Sequence, residues 1–223
     1  MIIYHKAITA STNLDARGAA PFSVFTADCQ TAGRGRLDHK WETDVGKDLA
    51  FSVVLPAHPD PVVNATLPLV IGLSIAETFD CEIKWPNDVY FQGRKLCGIL
   101  CELDGANVIA GVGINVNRTE FRGDYRTAPT SLKLVFHQDF ELRSVLDKVL
   151  VAIERNHREW LLHGFGLFLS RFAARDFLRG KTLSVLQTDG DLIPIVGKCE
   201  GISPEGALLI DDRKVFAGEA KIL

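Results

Sequence analysis

The chain reads as an α+β protein, with a larger N-terminal part of short strand-like runs interspersed with helix-like segments and a small all-β unit behind it. Three observations carry this expectation. Strand-like apolar runs recur from residue 2 to residue 116, whereas helical spacing is confined to a few segments, the longest at 142–160. After Arg179-Gly180 the texture changes to short β-like runs separated by turn residues. Hydrophobic residues make up 47% and charged residues 24% of the 223, a balance that supports a filled core and excludes a disordered chain. This length admits one large domain plus one small one, expected here at 1–179 and 180–223.

Residues 2–8 form the first expected strand. Ser11-Thr12-Asn13 suits a helix N-terminus leading into 14–19, because such side chains can accept from first-turn amides. A second strand, 22–29, delivers the chain into a glycine-arginine segment, and 49–55 is a third. Residues 67–79 read as a helix with Pro68 tolerated in its first turn. Strands follow at 82–85, 89–91 and 95–103, the last two joined at Gln92-Gly93, a hairpin signal, and another lies at 108–116. In 142–160 the spacing of Val145, Val149, Ala152 and Ile153, with charges between, predicts an amphipathic helix. A last helix is expected over 165–177. The C-terminal runs 182–186, 193–200, 207–210 and 215–216, punctuated by Asp189-Gly190 and Pro204-Glu205-Gly206, predict a small β-barrel.

A formal net charge of −3 argues against general duplex binding, which leans on many basic phosphate contacts. The five cysteines, Cys29, Cys81, Cys97, Cys101 and Cys199, are odd in number, and neither a secretory leader nor a membrane-length apolar run is read, which points to the cytoplasm. Cys97 and Cys101 would share one strand face. With no matching Cys or His pair near them, they read as small buried hydrophobes rather than metal ligands.

Gln30-Thr31-Ala32-Gly33-Arg34-Gly35-Arg36, running on to Trp41, is the most informative segment. Glycine lets backbone approach a ligand closely, and each arginine offers a charged fork suited to carboxylate or phosphate oxygens. An anion site and a solvated surface loop both fit these residues. A second cluster, Lys84-Trp85-Pro86-Asn87-Asp88, faces Lys95 across the hairpin and reads either as the edge of a site or as an ordinary turn. The third, Gly111-Val112-Gly113-Ile114-Asn115-Val116-Asn117, is no dinucleotide fingerprint, because no helix start follows its glycines.

Taken in order, Ser-Thr-Asn, the Gly-Arg-Gly-Arg segment with its tryptophan, Lys-Trp-Pro-Asn-Asp followed by Gly-Arg-Lys-x-x-Gly-Ile-Leu, and Gly-x-Gly-Ile-Asn-x-Asn resemble the biotin protein ligases. Thr130-Ser131-Leu132 and residues 201–223 also look like that family, so the likeness covers nearly the whole chain. It implies a mixed-sheet catalytic domain with flanking helices, of the class II synthetase and biotin ligase kind, followed by an SH3-like barrel. The activity it implies is two-step: biotin and ATP with Mg2+ give biotinyl-5′-AMP and pyrophosphate, and the acyl group passes to one lysine of a biotin carboxyl carrier domain.

Within that scheme Ser11, Thr12 and Gln30 are expected to pair biotin's ureido ring once it is buried, with Asn13 also in the biotin-binding set. Gly33, Arg34, Gly98 and Gly113 complete the expected biotin set, with Gly33 and Arg34 at the carboxylate end. Arg36 and Lys95 are expected to stabilise charge on the α-phosphate, and Trp41 and Asn115 to sandwich the adenine. Asp88 would receive the carrier lysine and help to orient or deprotonate it. No protein metal ligands are expected, Mg2+ arriving on the ATP phosphates.

His39 stands where many relatives carry a further arginine, and a histidine is only partly charged near neutral pH. Roughly ten residues before Ser11 leave no room for a helix-turn-helix reader, so a monofunctional ligase without operator binding is expected. The expected partner is the biotin carboxyl carrier protein of acetyl-CoA carboxylase or another biotin-dependent carboxylase, with no DNA and no membrane. A homodimer could be built from any exposed strand or apolar face. A lipoate or octanoyl transferase, a silent biotin-binding module and a single-strand RNA binder are the competing readings.

Overall fold

The computed structural model describes residues 1–123, 125–187 and 193–223. Its larger sheet has seven strands in the order β1-β2-β3-β7-β6-β5-β4: β1 (Ile2–Thr9), β2 (Ser23–Gln30), β3 (Asp48–Pro56), β4 (Glu82–Lys84), β5 (Asp88–Phe91), β6 (Arg94–Asp104) and β7 (Asn107–Asn115). The β1–β2 pair is parallel and every other pair antiparallel, so the sheet is mixed. Gln92 and Gly93 both adopt positive φ, 48° and 77°, in the two-residue loop joining β5 to β6, the backbone that a tight hairpin demands.

One face of this sheet is the core. Helix α3 (Leu67–Phe79) lies on it, and Gly72 is where the helix comes closest: a Cβ there would already touch Ile99 Cδ1 at 3.5 Å. Helix α5 (Leu142–His163) packs behind α3, burying Val145, Val149, Ile153 and Trp160 on one stripe, each apolar side chain worth about 1.5–3 kcal/mol. Trp160 Nε1 donates to Thr66 Oγ1 at 2.9 Å, which satisfies the indole at the start of α3. Residues Pro61–Phe79 together reach the length and apolarity of a membrane span, contrary to the sequence reading, and 61% of that window is buried inside the fold.

Because strand side chains alternate, Gly98 and Glu102 of β6 and Gly111, Gly113 and Asn115 of β7 face the other way. That face is nearly bare where the two glycines of the register pair Gly98↔Gly113 meet, and the site is built on it.

Behind the large sheet's chain, β8 (Thr182–Gln187), β9 (Ile195–Ile202), β10 (Leu208–Ile210), β11 (Arg213–Val215) and β12 (Gly218–Ile222) form an antiparallel sheet ordered β11-β10-β9-β8-β12, barrel-like in character. Trp85 Nε1 donates to Gly206 O at 3.0 Å, joining the two sheets.

Four expectations need correction. Helix α1 is only Thr12–Asp15, and Ser11 at its N-cap makes no side-chain cap bond, while the Thr12 and Asn13 side chains are drawn into other contacts described below. The helix expected at 165–177 is a 3₁₀ turn, Phe165–Phe168, followed by α6 (Leu169–Ala173). Beyond it the backbone turns to β4: Arg175 O accepts from Ile83 N and Phe177 N donates to Ile83 O. Phe216 lies outside β11 and is 59% exposed. The sequence reading also missed α2 (Pro61–Asn64), α4 (Leu132–Phe136) and β12; the Asp189-Gly190 turn lies outside the described residues.

Candidate functional site

On the glycine face lies a cavity of about 790 Å³, lined by all the predicted site residues except Gly33. At one end Gln30 Oε1 accepts from the Thr12 amide at 2.8 Å and from Thr12 Oγ1 at 3.2 Å. The buried Ser52 hydroxyl sits 2.7 Å from Thr12 Oγ1 and 2.6 Å from Asn13 Oδ1, and Asn13 Nδ2 donates to Glu102 at 2.6 Å. Ser11, 4% exposed, completes this polar end. Asn13 stands directly over Gly111, where any Cβ would overlap its amide.

The glycine-arginine segment is pinned rather than open. Trp41 N donates to Gly33 O at 2.9 Å and Gly35 N to His39 O at 2.6 Å, closing residues 33–41 into a loop. Gly33 is a glycine because Trp41 O packs where its Cβ would be, so its place is at the neck of the loop and not on the cavity wall. Arg34 reaches Glu102 at 3.2 Å, which ties the loop to the polar end. Trp41 lays its indole across Gly98 and Gly113, and its buried Nε1 has no hydrogen-bond partner among the described residues.

At the other end four polar groups converge. Arg36 Nη1 donates to Asn87 Oδ1 at 3.4 Å, and Asn87 Nδ2 donates to Ile99 O at 2.7 Å. Lys95 Nζ lies 2.8 Å from Asp88 Oδ1 in an ion pair without hydrogen-bond alignment, and 5.8 Å from the Trp41 ring centroid. Burial lowers the pKa of Arg36 and of Lys84, opposed in both by Asp88. Three cations, partly desolvated, stand near the Asp88 carboxylate and that of Glu219, which also pairs with Arg126, and this balance suits the end to an anion. Asn115, 5% exposed, donates to Thr130 O at 2.9 Å.

Some residues that line or support the cavity had no signal in the sequence. Asp48 pairs with Arg118 at 3.0 Å beside Asn115, its register partner on β7, and burial pushes its carboxyl up to about 6. From β12, Glu219 pairs with Arg126 at 2.7 Å and lies 3.9 Å from His39. Lys84 and Asn87 belonged to a motif whose central positions were read as turn residues. Ser52 is a lone hydroxyl in an apolar strand. All five cysteines are free; burial raises the Cys81 and Cys101 thiols to about 12 and Cys199 to about 11, and Cys97 well above the usual range, as expected of small core residues.

Comparison with known proteins gives one coherent answer. Residues 9–118 match the model of the biotin/lipoate A/B protein ligase family. The fold superimposes on a biotin protein ligase from Aquifex aeolicus, solved in complex with biotin and ATP, with a TM-score of 0.87 and 31% identity over 99% of this chain and 97% of that one. In sequence the chain is 27% identical to the bifunctional ligase/repressor BirA of Bacillus subtilis, over 99% of this chain and 74% of that protein. It is 29% identical to the biotin–[acetyl-CoA-carboxylase] ligase of Mycobacterium tuberculosis, over 91% of this chain and 80% of that protein. On the strength of this match in fold and sequence along nearly its full length, the chain belongs to the biotin/lipoate A/B protein ligase family.

Proposed function

We propose that this protein is an ATP-dependent biotin ligase that makes biotinyl-5′-AMP and transfers the biotinyl group to a lysine of a biotin carboxyl carrier domain. The observation that carries the reading is the two-ended cavity: neutral hydrogen-bonding groups at Thr12, Asn13 and Gln30, and a cationic end at Arg36, Lys84 and Lys95, on one glycine floor. A neutral ureido ring linked to a carboxylate, which then meets a phosphate, matches that polarity.

In the first step a biotin carboxylate oxygen attacks the α-phosphorus, and the bond to the β-phosphate oxygen breaks to release pyrophosphate. Arg36 and Lys95 hold the charge that develops on the α-phosphate oxygens. In the second step the carrier lysine nitrogen attacks the acyl carbon, the bond to the phosphate oxygen breaks and AMP leaves. Asp88 orients the lysine and takes up its proton. Trp41 and Asn115 are assigned to the nucleoside, Ser11, Thr12, Asn13, Gln30, Arg34, Gly98 and Gly113 to biotin, and Gly33 to shaping the loop.

Mg2+ would arrive with ATP, held through its phosphates. The carrier of acetyl-CoA carboxylase is the proposed acceptor. Five unpaired thiols support a reducing compartment such as the cytoplasm. Biotin-dependent pyrophosphate release tests the first step, with lipoate as the control: release with lipoate alone would transfer the assignment to the lipoate branch of the family.

A further inference from the structure

The position of Trp41 carries a consequence for how ligands enter. Alternate residues of β7 put Gly111, Gly113 and Asn115 in a row on the cavity face, and the structure shows what stands on each glycine: Asn13 over Gly111, Trp41 over Gly113. The indole is seated deeply enough that a Cβ on Gly113 would overlap its Cε2, Cζ2 and Nε1, and one on Gly98 would lie 3.0 Å from Cζ3. Its Nε1 is buried without a partner among the described residues, while Lys95 sits 5.8 Å from the ring and 2.8 Å from Asp88. Trp41 therefore lies between the polar end at Thr12, Asn13 and Gln30 and the cationic end at Arg36 and Lys95. A molecule that reaches from one end to the other has to cross the Gly98–Gly113 floor.

We propose that Trp41 is a gate on the acyl ligand's path: its indole occupies the floor that biotin must cover, and biotin binds only after the indole leaves Gly113. The unpaired Nε1 makes the seat easy to vacate, since leaving it lets the donor find water or a ligand acceptor. This rests on the ligase reading of the same cavity.

The test uses the whole protein and biotin alone, without nucleotide. A gate that is open only a fraction of the time lowers the apparent affinity by that fraction, so Trp41→Ala should bind biotin about tenfold more tightly and associate faster by calorimetry and stopped flow. Equal or weaker binding by Trp41→Ala would overturn the proposal, because a cap that closes over biotin gives that sign. The seat itself is read separately. Trp160 is 0% exposed and away from the cavity, but Trp85 also lines it, so emission is read in a Trp85→Phe background, where a ligand-dependent change reports Trp41. Gly113→Ala without any ligand should expel the indole and shift emission to the red; unchanged emission would contradict the seat. If neither wild type nor Trp41→Ala binds biotin while Gly113→Ala shifts emission, the substrate reading has failed and the gate for biotin falls with it.

Discussion

Lys95 Nζ lies 2.8 Å from Asp88 Oδ1, so the two groups that the proposed reaction uses in separate steps are paired with each other in this structure. The hairpin at Gln92-Gly93 sets them there, with Asp88 opposite Gly98 and Lys95 three residues earlier on the same strand. Neither side chain is fully buried, at 31% and 17% exposed, so the pair is a modest contributor to stability and a ready one to exchange.

Lys95→Ala and Arg36→Ala should therefore leave the fold intact and slow adenylation. Losing one preorganised cation at a reacting phosphate costs about 10²–10³ in rate. Biotin-dependent pyrophosphate release in single turnover measures it, with circular dichroism as the fold control. Activity within a factor of a few of wild type would remove these residues from the phosphate role.

Asp88→Asn should separate the half-reactions. Adenylate formation persists, whereas transfer to the carrier lysine slows by about 10²–10⁴, the usual worth of a positioned acid-base group. Mixing preformed adenylate with carrier and following acyl transfer decides it. Equal slowing of both steps would mean that Asp88 acts by holding Lys95.

Gly111→Ala adds a methyl where Asn13 already stands, its Cγ only 2.9 Å away. Asn13 is tied to Ser52 and Glu102, so the amide cannot move without breaking those bonds. Expected are a loss of roughly 1–3 kcal/mol in stability, typical of overpacking, and weaker biotin binding with ATP affinity retained. Urea melts and calorimetry read the two effects; unchanged biotin affinity would detach Asn13 from the ligand.

The Asp48 carboxyl has a folded pKa raised from 3.8 to about 6 by burial, despite Arg118 at 3.0 Å. Between these values the native state holds more protons than the unfolded chain, so this group's contribution to stability falls as pH rises from 3.8 toward 6 and is flat outside that window. Relative to Asp48→Asn, wild type should lose up to about 3 kcal/mol across it. A difference between the two proteins that is independent of pH would refute the shift.

Much of the strand order along the chain was legible because Val-, Ile- and Leu-rich runs are bounded by turn residues, and the Gln92-Gly93 hairpin follows from local backbone preference alone. Helix 165–177 was not, because its last residues form backbone bonds with β4, a long-range demand that no local propensity reports. The same limit explains Thr12 and Asn13: good N-cap residues by type, they are bound instead to Gln30, Ser52 and Glu102, from three distant strands. In the site, motif residues were legible and their supports were not. Glu219 comes from a strand the sequence did not reveal, and Arg118 and Asp48 lie 70 residues apart with no pattern between them. Gly33 and Gly113 show the subtler case, in which the glycine was noticed but its partner was the protein's own Trp41.

The most direct measurement is the intact mass of a biotin carboxyl carrier domain after incubation with this protein, biotin and ATP with Mg2+. The account predicts one biotinyl increment that requires ATP, is not matched by lipoate, and is lost in the Arg36→Ala, Lys95→Ala double variant. An unmodified carrier, shown to be competent with another biotin ligase, would contradict the proposed activity.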